Sequence, residues 1–62
     1  MSLLFKIELW SADQNRVEEL LGELGGYTLA KAAFDAAEDL YPGKPITIRQ
    51  GARIIQKTDS VR

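Results

Sequence analysis

Eight lysines and arginines and nine aspartates and glutamates are spread through 62 residues, with no histidine and no cysteine. Those two absences remove the usual general base near neutral pH, the thiolate nucleophile and the common soft metal ligands. A Ser/His/Asp arrangement is impossible without histidine. What remains is carboxylate chemistry, at Glu18-Glu19 and Glu38-Asp39. Neighbouring acids on a helix point about 100° apart, so Glu38-Asp39 reads as a solvated face, not a working pair. Asp13-Gln14-Asn15 with Glu18 and Glu19 lacks the spacing and the glycine of a calcium loop. Gly22, Gly25 and Gly26 match no phosphate-binding loop. The expectation is therefore no enzyme, no cofactor and no metal, with catalytic residues: none.

The charges are segregated, although the net charge is only −1. Residues 1–43 hold eight acids against three bases, and residues 44–62 hold five bases against Asp59 alone. Lys44, Arg49, Arg53 and Lys57 are candidate contacts for an anion or a nucleic acid, since a two-stranded ribbon can enter a major groove. The acidic balance of the whole chain and the lack of aromatics among these residues weigh against nucleic acid. A charged solvent face is the commoner meaning of such a pattern.

The element that must position these groups is Thr28 to Tyr41, TLAKAAFDAAEDLY. Five alanines make it a strong helix former. On a helical wheel Leu29, Ala30, Ala33, Phe34, Ala36, Ala37, Leu40 and Tyr41 share one arc, and Lys31, Asp35, Glu38 and Asp39 lie opposite. That arc reads as core packing, with Phe34, Leu40 and Tyr41 as its larger anchors. Thr28 is the candidate N-cap, without a capping box because Lys31 stands at N3. Pro42 and Gly43 end the helix.

Leu4 to Trp10 alternates as a strand buried on one face: Phe5, Ile7 and Leu9 point one way, Lys6, Glu8 and Trp10 the other. Trp10 on the polar side is either an aromatic shielded by its neighbours or an interface contact. Ser11 to Gly26 is ambiguous. Val17, Leu20, Leu21 and Leu24 have helical spacing, Ser11 with Gln14 makes a capping box, and Gly25-Gly26 a stop. Against that, the turn formers Ser11 to Asn15 suit a hairpin, with Gly22 marking a bulge in a returning strand. Lys44 to Lys57 is β-rich. A three-residue loop, Arg49-Gln50-Gly51, would pair Ile48 with Ala52, Thr47 with Arg53 and Ile46 with Ile54, leaving Ile55 outward. Thr58 to Arg62 is polar and expected to fray.

The stretches FKIELWSADQNRVEELL and AKAAFDAAEDLYPGKPITIRQGARII together resemble a set of short uncharacterised bacterial proteins. Those share an opening strand, a run like ARAAFDAA, then YPG and a relative of ITLRQGARVI. The most specific part runs from Ala32-Ala33-Phe34 through Tyr41-Pro42-Gly43 to Ile46-Thr47-Ile48-Arg49-Gln50. The resemblance implies a second strand at Val17-Glu18-Glu19-Leu20-Leu21, and no activity, cofactor or site.

The fold expected is α+β: a single domain, residues 1–62, with a small antiparallel sheet of two hairpins and one covering helix, in the order β-β-α-β-β. The alternative is β-α-α-β-β. One helix covers one face, leaving Lys6, Glu8, Trp10, Thr47, Arg53 and Ile55 on the other. A chain of this length buries only about 60% of its unfolded surface. With no disulfide to staple it, self-association is the natural source of further burial. The expected function is a non-enzymatic interaction module forming a homodimer, or binding another protein, through Trp10 and Ile55. The alternative is nucleic-acid binding through the basic hairpin. No apolar run is long enough to span a membrane, and no secretory signal opens the chain, so a cytoplasmic location is expected.

Overall fold

A computed structural model describes residues 4–58 and has the order β-β-α-β-β: β1 Phe5–Trp10, β2 Val17–Leu24, α1 Tyr27–Leu40, β3 Ile46–Gln50 and β4 Arg53–Lys57. The strands form one antiparallel sheet ordered β2-β1-β3-β4, and α1 packs on β1, β2 and β3. The two central strands pair without a bulge, Ile7 opposite Ile48 and Leu9 opposite Ile46. Their alternation therefore delivers four aliphatic side chains to the helix side. These join Ala30, Phe34 and Ala37 in the buried core.

The helix arc is narrower than the sequence wheel implies. Ala30, Phe34 and Ala37 are buried and Tyr41 packs at the margin, but Leu40 is 74% exposed and Leu29 64%. Leu40 is not an anchor. One helix on a four-stranded sheet touches it along a single line, so positions to either side stay in solvent. Thr28 is not the cap either. Gly26 holds that position in an extended conformation without any side-chain hydrogen bond, and its carbonyl accepts from the Ala30 N–H. The far end stops as expected: the Tyr41 N–H closes on Ala37, and Gly43 turns the chain at φ +78.

The ambiguous segment is a strand. Its turn is built by Ser11, whose buried hydroxyl donates to Asp13 and accepts from the N–H groups of Asn15 and Arg16. Ser11 and Gln14 thus form no capping box; Gln14 instead takes a left-handed φ of +62 in the turn. β2 carries two bulges, with Glu18 and Leu21 as the extra residues, the second next to Gly22.

The last hairpin differs from the expected register. Gln50 pairs with Arg53, so the loop is Gly51-Ala52, two residues long. Gly51 has φ +62 at the first central position, where a type II′ turn places its glycine. Arg49 then faces Ile54, and Ile48 faces Gln56, with Ile55 as a bulge residue. Ile54, expected inside, is 47% exposed, and Ile55, expected outside, packs against the core. Arg53, opposite Gln50 and hence in line with Phe5, belongs to the helix side. Thr58 is buried and held by Ile46 and Lys44, so it does not fray; residues 59–62, the rest of that expectation, lie outside the described residues.

Gly51→Val is expected to cost about 1–3 kcal/mol, because a β-branched residue is strained at positive φ. Gln50→Val, with φ negative, should cost clearly less. Urea unfolding of both variants measures the difference. Equal losses would mean that the turn does not depend on Gly51.

Candidate functional site

The face of the sheet away from α1 is the candidate site. Its register is set by the central pair, which places Lys6 beside Arg49 and Glu8 beside Thr47. β2 adds Val17 next to Trp10, Leu20 next to Glu8 and Glu23 next to Lys6. β4 adds Ile54 next to Arg49 and Lys57 next to Thr47.

The centre of this face is polar and closed. Arg49 Nε and Nη2 donate to the two oxygens of Glu8, each at 2.7 Å, and Nη1 donates to the Gly51 carbonyl at 2.8 Å. Glu8 is 4% exposed although no element covers it. The hydrogen bonds from Arg49 hold its carboxyl below the ordinary glutamate range against the opposing effect of burial, and the charges of Arg49 and Lys6 lower it further. Such a carboxylate stays ionised and is a poor proton donor near neutrality. Beside it, the Trp10 indole N–H donates to Thr47 Oγ1 at 2.9 Å, and Thr47 is itself buried. Trp10 is thus a half-buried aromatic in a fixed orientation, as the shielded one of its two sequence readings expects.

Around that centre lie exposed aliphatic side chains: Val17 at 39%, Leu20 at 48% and Ile54 at 47%. Of the two interface candidates, Trp10 is on this face and Ile55 is not. Leu20 and Ile54 escape a sequence reading because the bulges in β2 and β4 decide which way they point. The Glu8–Arg49 pair does have a sequence signal. Both residues stand on the polar phase of strands that become central neighbours, two positions apart on the diagonal.

The four basic candidates do not converge. Arg49 is committed to Glu8, Lys57 is on the open face, Arg53 is on the helix side, and Lys44 is exposed in the loop before β3. At the turn, Asp13 is tied to Ser11 and Asn15 and held below the usual carboxylate range by the Ser11 hydroxyl first and the Asn15 backbone N–H next. Among the described residues no group of three or more acidic, histidine or cysteine side chains is placed to hold a metal ion. No helix among them is long and apolar enough to cross a membrane. Comparison with protein families, curated proteins and solved structures gives no match.

Proposed function

We propose that the protein is a non-enzymatic interaction module that works as a homodimer, with two open sheet faces stacked about a two-fold axis. The observation that carries this reading is the ring of Val17, Leu20 and Ile54 around a rigid centre made by Trp10–Thr47 and Glu8–Arg49. The core supports it too. Seven buried apolar residues form it, two of them alanine, while seven large apolar residues lie exposed among those described. A specific interface takes about 800 Å² per partner. Against a total surface of 4227 Å², that is one broad face of this molecule.

Stacked faces suit the chain better than paired edges. Both edge strands carry bulges, and bulges with edge charges are how sheets avoid edge-to-edge pairing. A two-fold axis lying between the stacked faces and parallel to the strands also sets the acidic β2 side of one copy over the β4 side of the other. Exposed ion pairs are worth only about 0–1 kcal/mol, so apolar burial dominates and added salt weakens the dimer little. A cytoplasmic setting belongs to this reading, since a chain without cysteine needs no oxidising compartment.

Analytical ultracentrifugation tests it. The wild type should sediment as a dimer at about 100 μM, where micromolar interfaces are mostly filled. Leu20→Glu and Ile54→Glu, both at half-exposed positions, should give folded monomers, and Trp10→Ala should weaken association strongly. A wild-type monomer at that concentration would sink the proposal. Salt-sensitive retention of generic DNA by the folded monomers would favour the nucleic-acid reading instead.

A further inference from the structure

A second apolar surface lies on the helix side, between α1 and the edge strand β2. It is a groove of about 220 Å³ with Ile7 and Leu21 at its base, Ala33 and Ala36 along its wall, and Leu40 and Tyr41 at its end. The wall continues along the helix as Leu29, Ala33, Ala36 and Leu40, at the i, i+4, i+7 and i+11 spacing of one helix face. Leucine at both ends is largely in solvent. Alanine between them lets another backbone come close.

Charge says what can lie there. Of the carboxylates on the two elements that wall the groove, Glu19 is exposed on the helix side of β2 and Asp35 and Asp39 are exposed on α1, while Glu23 lies on the other face of the sheet beside Lys6. The one ammonium on these elements is Lys31. That ammonium is already held by Asp35 at 2.8 Å. Glu19, opposite the buried Leu9, shares the helix side of the sheet. A second copy of α1 would bring the same acids and be repelled. An added strand would meet the edge of β2 where Glu18 and Leu21 interrupt its hydrogen-bonding rhythm. A helix needs no such edge. We propose that this groove docks a basic amphipathic helix of a partner protein, with its apolar face on the Leu29–Leu40 stripe and its lysines or arginines toward the carboxylates of α1 and β2.

The probe is a fluorescent leucine/lysine amphipathic peptide of about 18 residues, long enough to form an isolated helix, read by anisotropy against the full chain. It should bind, and a leucine/glutamate peptide of the same pattern should not. The deciding variant is Leu40→Glu. It deletes an apolar contact while making the surface more acidic, at a position too exposed to matter for folding. Docking in the groove predicts at least about tenfold weaker binding, equivalent to about 1.4 kcal/mol; attraction by charge alone predicts equal or tighter binding and overturns the proposal. Heteronuclear NMR should place the shifts at Leu21, Ala36 and Leu40. Shifts confined to Leu20 and Ile54, or no binding at all, would also overturn it. A change of the protein's own association state in Leu40→Glu would mean that a second copy covers the groove, against the proposal. Leu20→Glu, on the opposite face, should leave peptide binding unchanged whether or not the homodimer exists.

Discussion

Phe34→Ala is expected to remove most of the folding stability, about 3–5 kcal/mol. Phe34 is 2% exposed and the largest fully buried side chain of the core. Its neighbours along the buried line of α1 are Ala30 and Ala37, too short to reach into the space that it fills. Ile7, Ile46 and Ile48 sit on the two central strands, whose pairing fixes their positions. The cavity therefore stays open, and the cost lies at the cavity end of the range. A domain of 62 residues has a total near the low end of about 5–15 kcal/mol. With about 4–8 °C of melting temperature per kcal/mol in domains of this size, the midpoint should fall by tens of degrees. Leu40→Ala, on the same helix but three-quarters exposed, should barely move it. Thermal melts followed by circular dichroism separate the two. A Phe34→Ala variant that melts with the wild type would mean that α1 packs through another face.

The contrast between Phe34 and Leu40 marks where the sequence stops being legible. Periodicity gives the direction of a helix face but not its width, and width depends on how much sheet lies beneath. β1 was legible because Phe5, Ile7 and Leu9 alternate without interruption and the strand has no extra residue on its β3 side. β2 was ambiguous for a physical reason. Two extra residues in eight shift its phase twice, so Val17, Leu20, Leu21 and Leu24 fall at spacings that imitate a helix. The structure resolves the ambiguity as a strand. In β4 the glycine identified a turn but not its length. Gly51-Ala52 as the loop, with a bulge at Ile55, exchanges the roles of Ile54 and Ile55. The candidate site was half visible: Trp10 stands out by its type, whereas Arg49 looked like a free cation until the β1–β3 pairing brought Glu8 within 2.7 Å.

That pair yields the second large effect. Arg49→Met is expected to destabilise the fold by about 2–3 kcal/mol, below the 3–5 kcal/mol for a fully buried pair because Arg49 is a third exposed and water can reach its place. The loss comes less from a missing attraction than from what is left behind, a 4% exposed carboxylate with nothing to bind. Glu8→Met together with Arg49→Met removes both charges and should recover most of the loss. The pH dependence gives an independent check. In the wild type the folded state holds the Glu8 carboxyl below its ordinary value, chiefly through the hydrogen bonds from Arg49. The unfolded chain then takes up that proton first as pH falls. The stabilisation is complete above the ordinary glutamate pKa of about 4.3 and fades as pH drops through the folded value. Asp13, lowered by Ser11 and Asn15, adds to the same acid-side loss. In Arg49→Met, burial is unopposed by the guanidinium and raises the Glu8 pKa, so its contribution changes sign: protonation now relieves the folded state. Urea unfolding between about pH 6 and pH 3 should show the wild type losing stability and the variant losing less or gaining, with the two curves converging at low pH. Parallel curves would mean that Glu8 does not depend on Arg49 for its charge, and the polar centre of the open face would lose its role as a rigid platform.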